Sequence, residues 1–561
     1  MNDDANPFVP GGDAWDAAAP FRARLDEDAR RYREEREARR RRRADPNLEP
    51  DTPPPAKPTT ITVEPGQIDV LATKAEDALI SAGLPVFQRG SMLVRPAAWS
   101  VPAADERATT AAGLLPIKVP ALIDLLAQAA NFRRFNGRRK KFCPIDPPSN
   151  VAAVLLSRSG FWRVPGIVGT ITTPTMRRDG SILHEPGYDP VTRLYHWVDP
   201  DLHMPSIGVT RDHAERALAQ LNDLLVGFPF CSEVDLAVAL SGLISPCVRG
   251  AVGMVPLHAL SAPAAGSGKS HLVDVAAAVV TGRVGPVATA GRDTEETEKR
   301  LGGLLLAGFA VISLDNLSDE LGGDLLCQAV ERPIIRLRPL GASDIVEIES
   351  RATLFATGNN LIIAGDMTRR TLLGHLDAKM ERPEERQFPF DPVQRVINER
   401  GTYVAACLTI VRAHLLAGCP DKLPQLASFG AWSDLVRSAL VWLGCADPVR
   451  SIQEVRRSDP VLDTLRQVLA SWRRCFGTEG RTARHVAETF DAGFNPTNQE
   501  GEALLALRAA LKPVAADRIG KIDASRLGYW LRSSKDRIVD GWKFAVVASP
   551  GGVSEWAVVK A

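Results

Sequence analysis

The sequence contains 561 residues, with 68 Lys and Arg against 67 Asp and Glu, so its formal net charge at pH 7 is +1. This balance excludes a general electrostatic attraction to nucleic acid, and any such attraction must come from local patches. The 8 cysteines form no Cys-x-x-Cys pair, which predicts reduced thiols in a cytoplasmic protein without zinc. No signal-peptide pattern and no run of about 18 uncharged apolar residues occurs, so we expect no membrane partner.

The length supports about three or four domains. Residues 1–60 are predicted to be a disordered charged tail and a Pro-rich linker, and residues 61–145 a small N-terminal α/β domain. A basic cluster in that domain, from Arg133 to Lys141, is interleaved with phenylalanines and fits nucleic-acid contact and an ordinary hairpin equally well. Residues 146–250 are predicted to be a linker, rich in tight turns at Pro174–Asp189, followed by a helical region.

The strongest motif follows an apolar strand predicted at Pro256–Ser261. The sequence PAAGSGKS (Pro263–Ser270) leads from this strand into an apolar helix, which is the context that a phosphate-binding loop requires. Small residues let backbone N–H groups surround the β- and γ-phosphates of ATP, a lysine supplies positive charge, and a serine hydroxyl binds Mg²⁺. The residues predicted to bind ATP are Ala265, Gly266, Ser267, Gly268, Lys269, Ser270 and His271.

Two further apolar strands are predicted to end in polar residues. FAVISLDN (Phe309–Asn316) is typical of a parallel strand that is buried on both faces, and it brings Asp315 to its carboxyl end. A carboxylate there is expected to bind Mg²⁺ together with Ser270. TLFAT (Thr353–Thr357) leads in the same way into Asn359, which places an amide beside the same nucleotide.

This order of motifs resembles the superfamily 3 helicases of the AAA+ class, in the branch carried by phages, plasmids and integrative elements. The segment PTMRRDGSILHEPGYD (Pro174–Asp189) is similar to the one that precedes the motor in phage and mobile-element primase-helicases. The resemblance covers roughly residues 150–390 and implies an α/β protein with a P-loop AAA+ parallel-sheet motor at residues 251–395. It implies ATP and Mg²⁺ as cofactors, and a γ-phosphate sensor at Asn359, with Asn360 as the second choice.

The same resemblance implies that a hairpin within Ile334–Ser350 projects into the channel of a ring and grips DNA. Arg336 and Arg338 are its candidate phosphate contacts, and exposed charges on the solvent face of a hairpin are the alternative. In GDMTRRTLLGHLD the family pattern places an arginine that reaches the ATP of the neighbouring subunit, with Arg370 as the first choice and Arg369 as the second. The alternative is that both are surface arginines that open a helix.

One residue departs from the family pattern. The residue after the magnesium aspartate is usually a second acid that polarises the attacking water, and here it is Asn316. An amide orients water but cannot take its proton, so hydrolysis is slow, or another carboxylate such as Glu296, Asp319 or Glu320 helps, or positioning matters more than the base. The predicted catalytic residues are Lys269, Asp315, Asn316, Asn359 and Arg370.

The remaining chain is predicted to form a helical region at residues 396–460 and a winged-helix-like domain at residues 461–561. The latter shows four helical patterns followed by two β runs around a Pro-Gly-Gly turn. Its last helix and wing would bind DNA, and a packing or oligomer-contact role is the alternative. The candidate DNA-binding residues of this region are Arg526, Arg532, Lys535 and Lys543.

Together, these features favour an ATP-dependent DNA helicase or translocase that acts as a homo-hexameric or similar ring in replication of a mobile genetic element. Single-stranded DNA would pass through the channel, with duplex DNA at the tail. The first 150 residues show no primase signature, so a separate primase is an expected partner. The alternative function is an ATP-switched origin-binding initiator or regulator that does not unwind DNA. A P-loop kinase or protein remodeller is a third class, against which the basic residues argue.

Overall fold

The computed structural model describes residues 59–102, 108–199, 202–285, 287–289, 294–317, 320–338, 345–457, 459–490, 499–549 and 552–561. Most of the predicted tail and linker, together with Asp319, lies outside the described residues. The described chain combines helices with one parallel sheet and several small sheets, which makes it a mixed α/β protein.

The N-terminal part contains two three-stranded sheets with the orders β1–β5–β6 and β2–β3–β4. Leucines and alanines on one face of each helix pack with Ile61 and Phe132 of the first sheet, so this part has a hydrophobic core of its own. Its elements are β1 (Thr59–Thr62), α1 (Ile68–Ser81), β2 (Phe87–Arg89), β3 (Met92–Pro102), β4 (Ala108–Pro116), α2 (Val119–Ala129), β5 (Ala130–Asn136), β6 (Lys141–Pro144) and α3 (Ser149–Ser157).

The next segment consists of very short strands and then two helices. As predicted, Pro174–Asp189 forms tight turns and strands of only two or three residues. Thr210 and Ser232 cap the two helices by accepting hydrogen bonds from backbone N–H groups of the first turn. The elements are β7 (Gly169–Ile171), β8 (Thr175–Met176), β9 (Ile182–Leu183), β10 (Gly187–Asp189), β11 (Leu194–His196), α4 (Arg211–Leu225) and α5 (Glu233–Cys247).

A five-stranded parallel sheet with the order β13–β14–β17–β12–β18 follows. The strands predicted at Pro256–Ser261, Phe309–Asn316 and Thr353–Thr357 are observed within a few residues of those limits, and β15 and β16 form the predicted antiparallel hairpin. The elements are β12 (Leu257–Ala262), α6 (Lys269–Thr281), β13 (Val287–Thr289), α7 (Thr294–Ala307), β14 (Val311–Leu317), α8 (Asp324–Glu331), β15 (Ile334–Leu337), β16 (Val346–Glu349), β17 (Thr353–Asn359) and β18 (Thr371–His375).

The strand order creates a switch point beside the loop that follows β12. From β12 the chain crosses to β13 at one edge of the sheet, whereas from the neighbouring β17 it crosses to β18 at the other edge. In open parallel sheets, ligands bind at the carboxyl ends of the strands next to such a point. The carboxyl ends of β12, β14 and β17 therefore define the edge at which a ligand site is expected.

The rest of the chain is mostly helical and ends in a three-stranded antiparallel sheet with the order β19–β21–β20. A π-helical turn, Ser433–Arg437, joins α11 to α12. The elements are α9 (Pro392–Asn398), α10 (Arg400–Leu416), α11 (Gly430–Trp432), α12 (Ser438–Trp442), α13 (Arg450–Arg457), α14 (Pro460–Phe476), β19 (Arg481–Thr482), α15 (Ala483–Thr489), α16 (Gln499–Ala515), α17 (Ala524–Ser533), β20 (Trp542–Ala548) and β21 (Glu555–Lys560).

The largest hydrophobic core extends from Met176 to Val455. It joins the parallel sheet to helices that precede the sheet in the sequence and to helices that follow it. The boundaries predicted at residues 250 and 395 therefore fall inside one core. A separate core from Leu465 to Val558 unites α14–α17 with the terminal sheet. No helix among the described residues is long and apolar enough to span a bilayer.

Candidate functional site

The loop between β12 and α6 has the backbone shape of an anion-binding turn. Gly266 and Gly268 have φ angles of 73° and 95°, in the left-handed region that favours glycine, and Gly268 is the N-cap of α6. The hydroxyl of Ser267 donates a hydrogen bond to the carbonyl of Ala264 at 2.7 Å, which holds the loop closed on itself. The amide groups at the start of α6 carry the partial positive charge of a helix N-terminus, where anions bind.

Lys269 connects this loop to the carboxyl end of the neighbouring strand. Its Nζ donates to the carbonyl of Ala264 at 3.0 Å and to Oδ1 of Asn359 at 2.8 Å. The residue is 8% exposed, and burial lowers the pKa of its ammonium while the nearby charge of Asp315 opposes that shift. The structure thus places the lysine and the predicted sensor amide in direct contact at the carboxyl ends of the neighbouring strands β12 and β17.

Asp315 is held by two hydroxyl groups that bind the same carboxylate oxygen. Ser270 Oγ donates to Oδ1 at 2.7 Å, and Thr357 Oγ1 donates to it as well. Thr357 also accepts a hydrogen bond of 3.2 Å from the backbone N–H of Asn316, whose φ of 56° places it in the left-handed region. Hydroxyl and carboxylate oxygens are ligands that Mg²⁺ accepts, so the group of Ser270 and Asp315 fits a magnesium ion beside a phosphate.

An aromatic cluster borders the helix end of the loop. The rings of Phe228 and Phe388 lie 5.6 Å apart, and the ring of His271 lies 6.2 Å and 5.9 Å from them. A β-carbon at Gly268 would be in van der Waals contact with both phenylalanines. Flat apolar rings next to a phosphate-binding turn are suited to contact a nucleobase. Among the residues predicted to bind ATP, His271 belongs to this cluster, and Ala265 is exposed at the start of the loop.

The segment that leads to Phe388 crosses over the loop and contains an arginine that sequence analysis missed. An ideal β-carbon at Gly266 would stand 2.8 Å from the backbone nitrogen of Glu384. Arg386 stacks over Phe388, with Cζ 4.5 Å from the ring centroid. Its Nε and Nη2 atoms are buried and find no hydrogen-bond partner in the part of the chain that the structure describes, and burial lowers its pKa. Buried nitrogens without hydrogen-bond partners are costly even on a half-buried side chain, and a bound anion would compensate them.

Arg370 is buried, and it would have to break several contacts before it could reach a neighbouring subunit. Its side chain is 6% exposed, and it donates from Nε to Glu331 at 2.7 Å and contacts Asp366. Burial lowers the pKa of Arg370, but hydrogen bonds and charges of Glu331 and Asp366 outweigh that effect and raise it. Arg369, the second choice, is 47% exposed. Arg369 is thus the more accessible of the two arginines, although it also lies 3.9 Å from Glu331 and 3.5 Å from Asp366.

The two hairpin arginines are both exposed, which is compatible with either of the predicted alternatives. Arg336 is 73% exposed, but it pairs across the hairpin with Glu347 at 2.7 Å, so its charge is partly compensated. Arg338 is exposed at the end of β15, and the tip that follows it, residues 339–344, lies outside the described residues. The base of the hairpin contacts the segment of short strands, because Arg193, which directly precedes β11, pairs with Glu349.

The four candidate DNA contacts of the tail lie on α17 and on the sheet beside it. Arg526 and Arg532 are exposed on α17, although Arg526 also donates to the backbone carbonyl of Ala516. Lys535 and Lys543 both approach Asp536, with nitrogen–oxygen distances of 3.9 Å and 3.5 Å. Two of the four candidates thus share one acidic neighbour, Asp536.

Neither of the two described carboxylates that the sequence offered in place of the missing acid at Asn316 is free beside Asp315 in an obvious way. Asp274 of α6, in contrast, lies close enough to Asp315 for the two charges to interact. Glu296 pairs with Arg300 on its own helix, and Glu320 is exposed. Thr357 was also missed, although its position two residues before Asn359 puts both side chains on one side of the strand. Arg386 and Phe388 had no comparable sequence signal, because they lie more than a hundred residues from the loop and reach it only through the fold.

No protein-family model matches this chain, and no curated protein matches it. Among solved structures, the A-form apo structure of the NrS-1 C-terminal region is similar at 12% identity and a TM-score of 0.35, covering 87% of this chain and 98% of that one. Cch of SCCmec type IV, described as an active helicase, is similar at 12% identity and a TM-score of 0.31, covering 79% of this chain and 99% of that one. Likeness at this level assigns neither a family nor a function.

Proposed function

We propose that this chain is an ATP-driven DNA translocase or helicase whose motor is the parallel sheet and the loop after β12. The observation that carries the proposal is the meeting of Lys269 with Asn359 and of Ser270 with Asp315 at one edge of the sheet. Lys269 and the N-terminus of α6 would bind the phosphates, and Ser270 and Asp315 would hold Mg²⁺. The four residues come from the start of α6 and from two strands, β14 and β17, which supports a P-loop motor of AAA+ type rather than an isolated turn.

In this proposal the protein's own groups orient and neutralise the triphosphate. Arg386, whose Nε and Nη2 are buried without a hydrogen-bond partner among the described residues, is the second cation that would face the nucleotide, and Phe228 and Phe388 would contact the base. Asn359 would hold the γ-phosphate beside Lys269. Bound Mg²⁺ supplies charge stabilisation for phosphoryl transfer, while Asn316 orients the attacking water without taking its proton.

We further propose a homo-oligomeric ring, most simply a hexamer, in which Arg369 rather than Arg370 enters the site of the neighbouring subunit. Both arginines pair with Glu331 and Asp366, but Arg369 does so at longer distances, 3.9 Å and 3.5 Å, and its side chain is 47% exposed against 6% for Arg370. Arg336 and Arg338 of the hairpin would contact single-stranded DNA in the channel. The terminal core with its hairpin would act as a winged-helix-like element on duplex DNA through Arg526, Arg532, Lys535 and Lys543.

The direct test is ATP hydrolysis with and without single-stranded DNA. We expect DNA to raise the rate and Lys269→Ala to abolish it, with Lys299→Ala as the control because Lys299 pairs with Glu295 on an exposed helix face. The proposal is contradicted if neither single-stranded DNA nor Lys269→Ala changes the rate of ATP hydrolysis. Size-exclusion chromatography in the presence of nucleotide measures the number of subunits in the ring.

Mixing two inactive variants tests the arginine supplied in trans. Loss of such an arginine lowers the rate by about 10³–10⁵, so Arg369→Ala and Lys269→Ala are each expected to be inactive. In an equimolar mixture, about a quarter of head-to-tail interfaces pair an intact loop with an intact arginine and regain activity. A mixture that stays inactive, or an active Arg369→Ala protein, excludes this role for Arg369.

The second candidate function is an ATP-switched DNA-binding initiator or regulator that does not unwind DNA. The observation that favours it is Asn316, an amide at the position that follows Asp315, because an amide cannot take a proton from water. A strand-displacement assay separates the two functions. DNA binding that depends on ATP, without displacement of a paired strand, supports the initiator, whereas displacement supports the motor. Replication of a mobile element, with a separate primase, is the setting that we propose for either activity.

A further inference from the structure

The N-terminal sheet β1–β5–β6 has two unlike faces. Ile61 and Phe132 point into the core, whereas the opposite face carries Phe135 and Phe142, which are 54% and 49% exposed. The two rings belong to directly paired residues of β5 and β6, and their centroids are 5.4 Å apart in an edge-to-face arrangement. Two large apolar rings are thus displayed side by side on a rigid sheet rather than buried under it.

Positive charge surrounds these rings. Between Ala130 and Pro144 the hairpin contains no acidic residue, and all its cations are exposed. No ion pair joins any of them to a carboxylate within the described ranges. Arg133 lies over the ring of Phe142, with Cζ 4.7 Å from the centroid, and its Nε donates to Thr62 at 3.0 Å. The six cations are Arg133, Arg134, Arg138, Arg139, Lys140 and Lys141.

The turn of the hairpin has a defined shape. The side chain of Asn136 accepts hydrogen bonds from the backbone N–H groups of Arg138 and Arg139 at 3.0 Å and 3.1 Å. Lys140 then adopts a φ of 49° before β6 begins. This arrangement is an Asx-type turn, and it holds four consecutive cations at the end of the sheet.

A cleft of about 410 Å³ lies next to the exposed face. Phe142 and Arg133 form part of its wall, and Thr60, Asn131 and Asp146 contribute hydrogen-bonding groups to its lining. An aromatic wall next to polar groups matches the two needs of a nucleobase, which stacks through its face and forms hydrogen bonds along its edge.

We propose that the outer face of the β1–β5–β6 sheet binds single-stranded nucleic acid, with bases stacked on Phe135 and Phe142 and phosphates held by the cations of the turn. A duplex keeps its bases stacked internally and offers no faces to these rings. An anionic lipid surface would attract the cations, but insertion of the rings would bring Asp146 and Asn131 against apolar chains without partners. This site is separate from the proposed motor and does not depend on ATP.

The test measures the affinity of the full-length protein for labelled oligo-dT by fluorescence anisotropy without nucleotide. Stacking losses of about 5- to 150-fold per ring are expected for Phe135→Ala and Phe142→Ala. Phe135→Leu and Phe142→Leu keep apolar bulk without an aromatic face and should also weaken binding. Phe161→Ala is the matched control, because Phe161 is 84% exposed outside the hairpin and should leave binding unchanged.

Charge and stacking have separate signatures. Replacement of the four turn cations by serine should reduce the salt dependence of binding, by about 0.7 in log–log slope for each lost phosphate contact. The Phe→Leu variants should retain the wild-type slope. Oligo-U measured beside oligo-dT distinguishes RNA from DNA as the source of the strand, and ultraviolet crosslinking should recover peptides that contain Phe135 or Phe142.

Three results would overturn this inference. One is wild-type affinity for oligo-dT and oligo-U in the double Phe135→Ala and Phe142→Ala variant. Another is an equal loss for duplex and single strands, which would indicate backbone contact without stacking. The third is ring-dependent binding to phosphatidylserine vesicles with no effect on oligonucleotides. The Lys269→Ala protein should keep hairpin crosslinks, so a failure of the motor proposal stays distinguishable from a failure here.

Discussion

Thr357 provides a direct test of how the magnesium carboxylate is held. Its buried hydroxyl donates to Asp315 and accepts from the N–H of Asn316 at 3.2 Å, so it fixes both residues at the carboxyl end of β14. In Thr357→Val the side-chain volume is kept while both hydrogen bonds are lost. Loss of such an outer contact typically costs 10- to 100-fold in metal affinity or activity, which corresponds to about 1.4–2.7 kcal/mol.

We therefore expect Thr357→Val to need about 10- to 100-fold more Mg²⁺ for half-maximal ATP hydrolysis, with recovery towards the wild-type rate at saturating Mg²⁺. The control is Thr353→Val on the same strand. Thr353 is also fully buried, but its hydroxyl finds no hydrogen-bond partner among the described residues, so its removal should be neutral or slightly stabilising. An unchanged Mg²⁺ dependence in Thr357→Val, or an equal change in both variants, would refute the reasoning.

Three further outcomes are expected. Glu331→Ala removes the closer of the two counter-charges of the buried Arg370 and leaves Asp366, so it should lower the free energy of unfolding by about 2 kcal/mol in urea denaturation. The hydrogen bond with Asp235 raises the pKa of His375 in the folded protein. The stabilisation by protonated His375 should therefore be complete below about pH 6.5 and should disappear as the pH rises through the raised pKa. In His375→Gln the unfolding midpoint should lack this decline. Phe388→Ala should raise the KM for ATP about tenfold at nearly constant kcat, through loss of base stacking.

Each of these variants has a matched control. Glu347→Ala removes the acid of an exposed pair and should change stability by less than about 1 kcal/mol. His184→Gln affects a ring that contacts the backbone carbonyl of Ile182, and the decline with pH should persist. Phe390→Ala removes a ring that lies under Arg395, and the KM for ATP should stay the same. If a control variant changes the measured quantity as much as its test variant does, the effect does not come from the contact that the test variant removes.

Local pattern predicted the motor elements well, because their cues lie within a few residues of one another. Small residues between an apolar strand and an apolar helix identify the loop at Gly266–Ser270. Continuous apolar runs identify β14 and β17, since strands buried on both faces exclude polar side chains. In a parallel sheet the carboxyl ends meet at one edge, so Asp315 and Asn359 could be placed near Lys269 before any coordinates were known.

The partners of the arginines could not be predicted from local sequence patterns. The register between β15 and β16 pairs Arg336 with Glu347, and whether adjacent Arg369 or Arg370 faces solvent depends on Glu331, nearly forty residues earlier. Both outcomes are set by partners that are distant along the chain, and charge alone does not reveal them. Each of these arginines is a plausible ligand contact in sequence, but one is already neutralised across a hairpin and another is fastened inside the protein.

Order along the chain was therefore sufficient to assign the loop, the strand ends and the succession of helices, because hydrophobic periodicity and backbone preference act over short distances. Tertiary packing alone decided which side chains surround the loop. It brought Phe228, Phe388 and Arg386 to the loop, it turned Phe135 and Phe142 outward, and it enclosed Arg370. Burial and counter-charge are properties of neighbours in space, and the fold assembles those neighbours from segments that share no local signal.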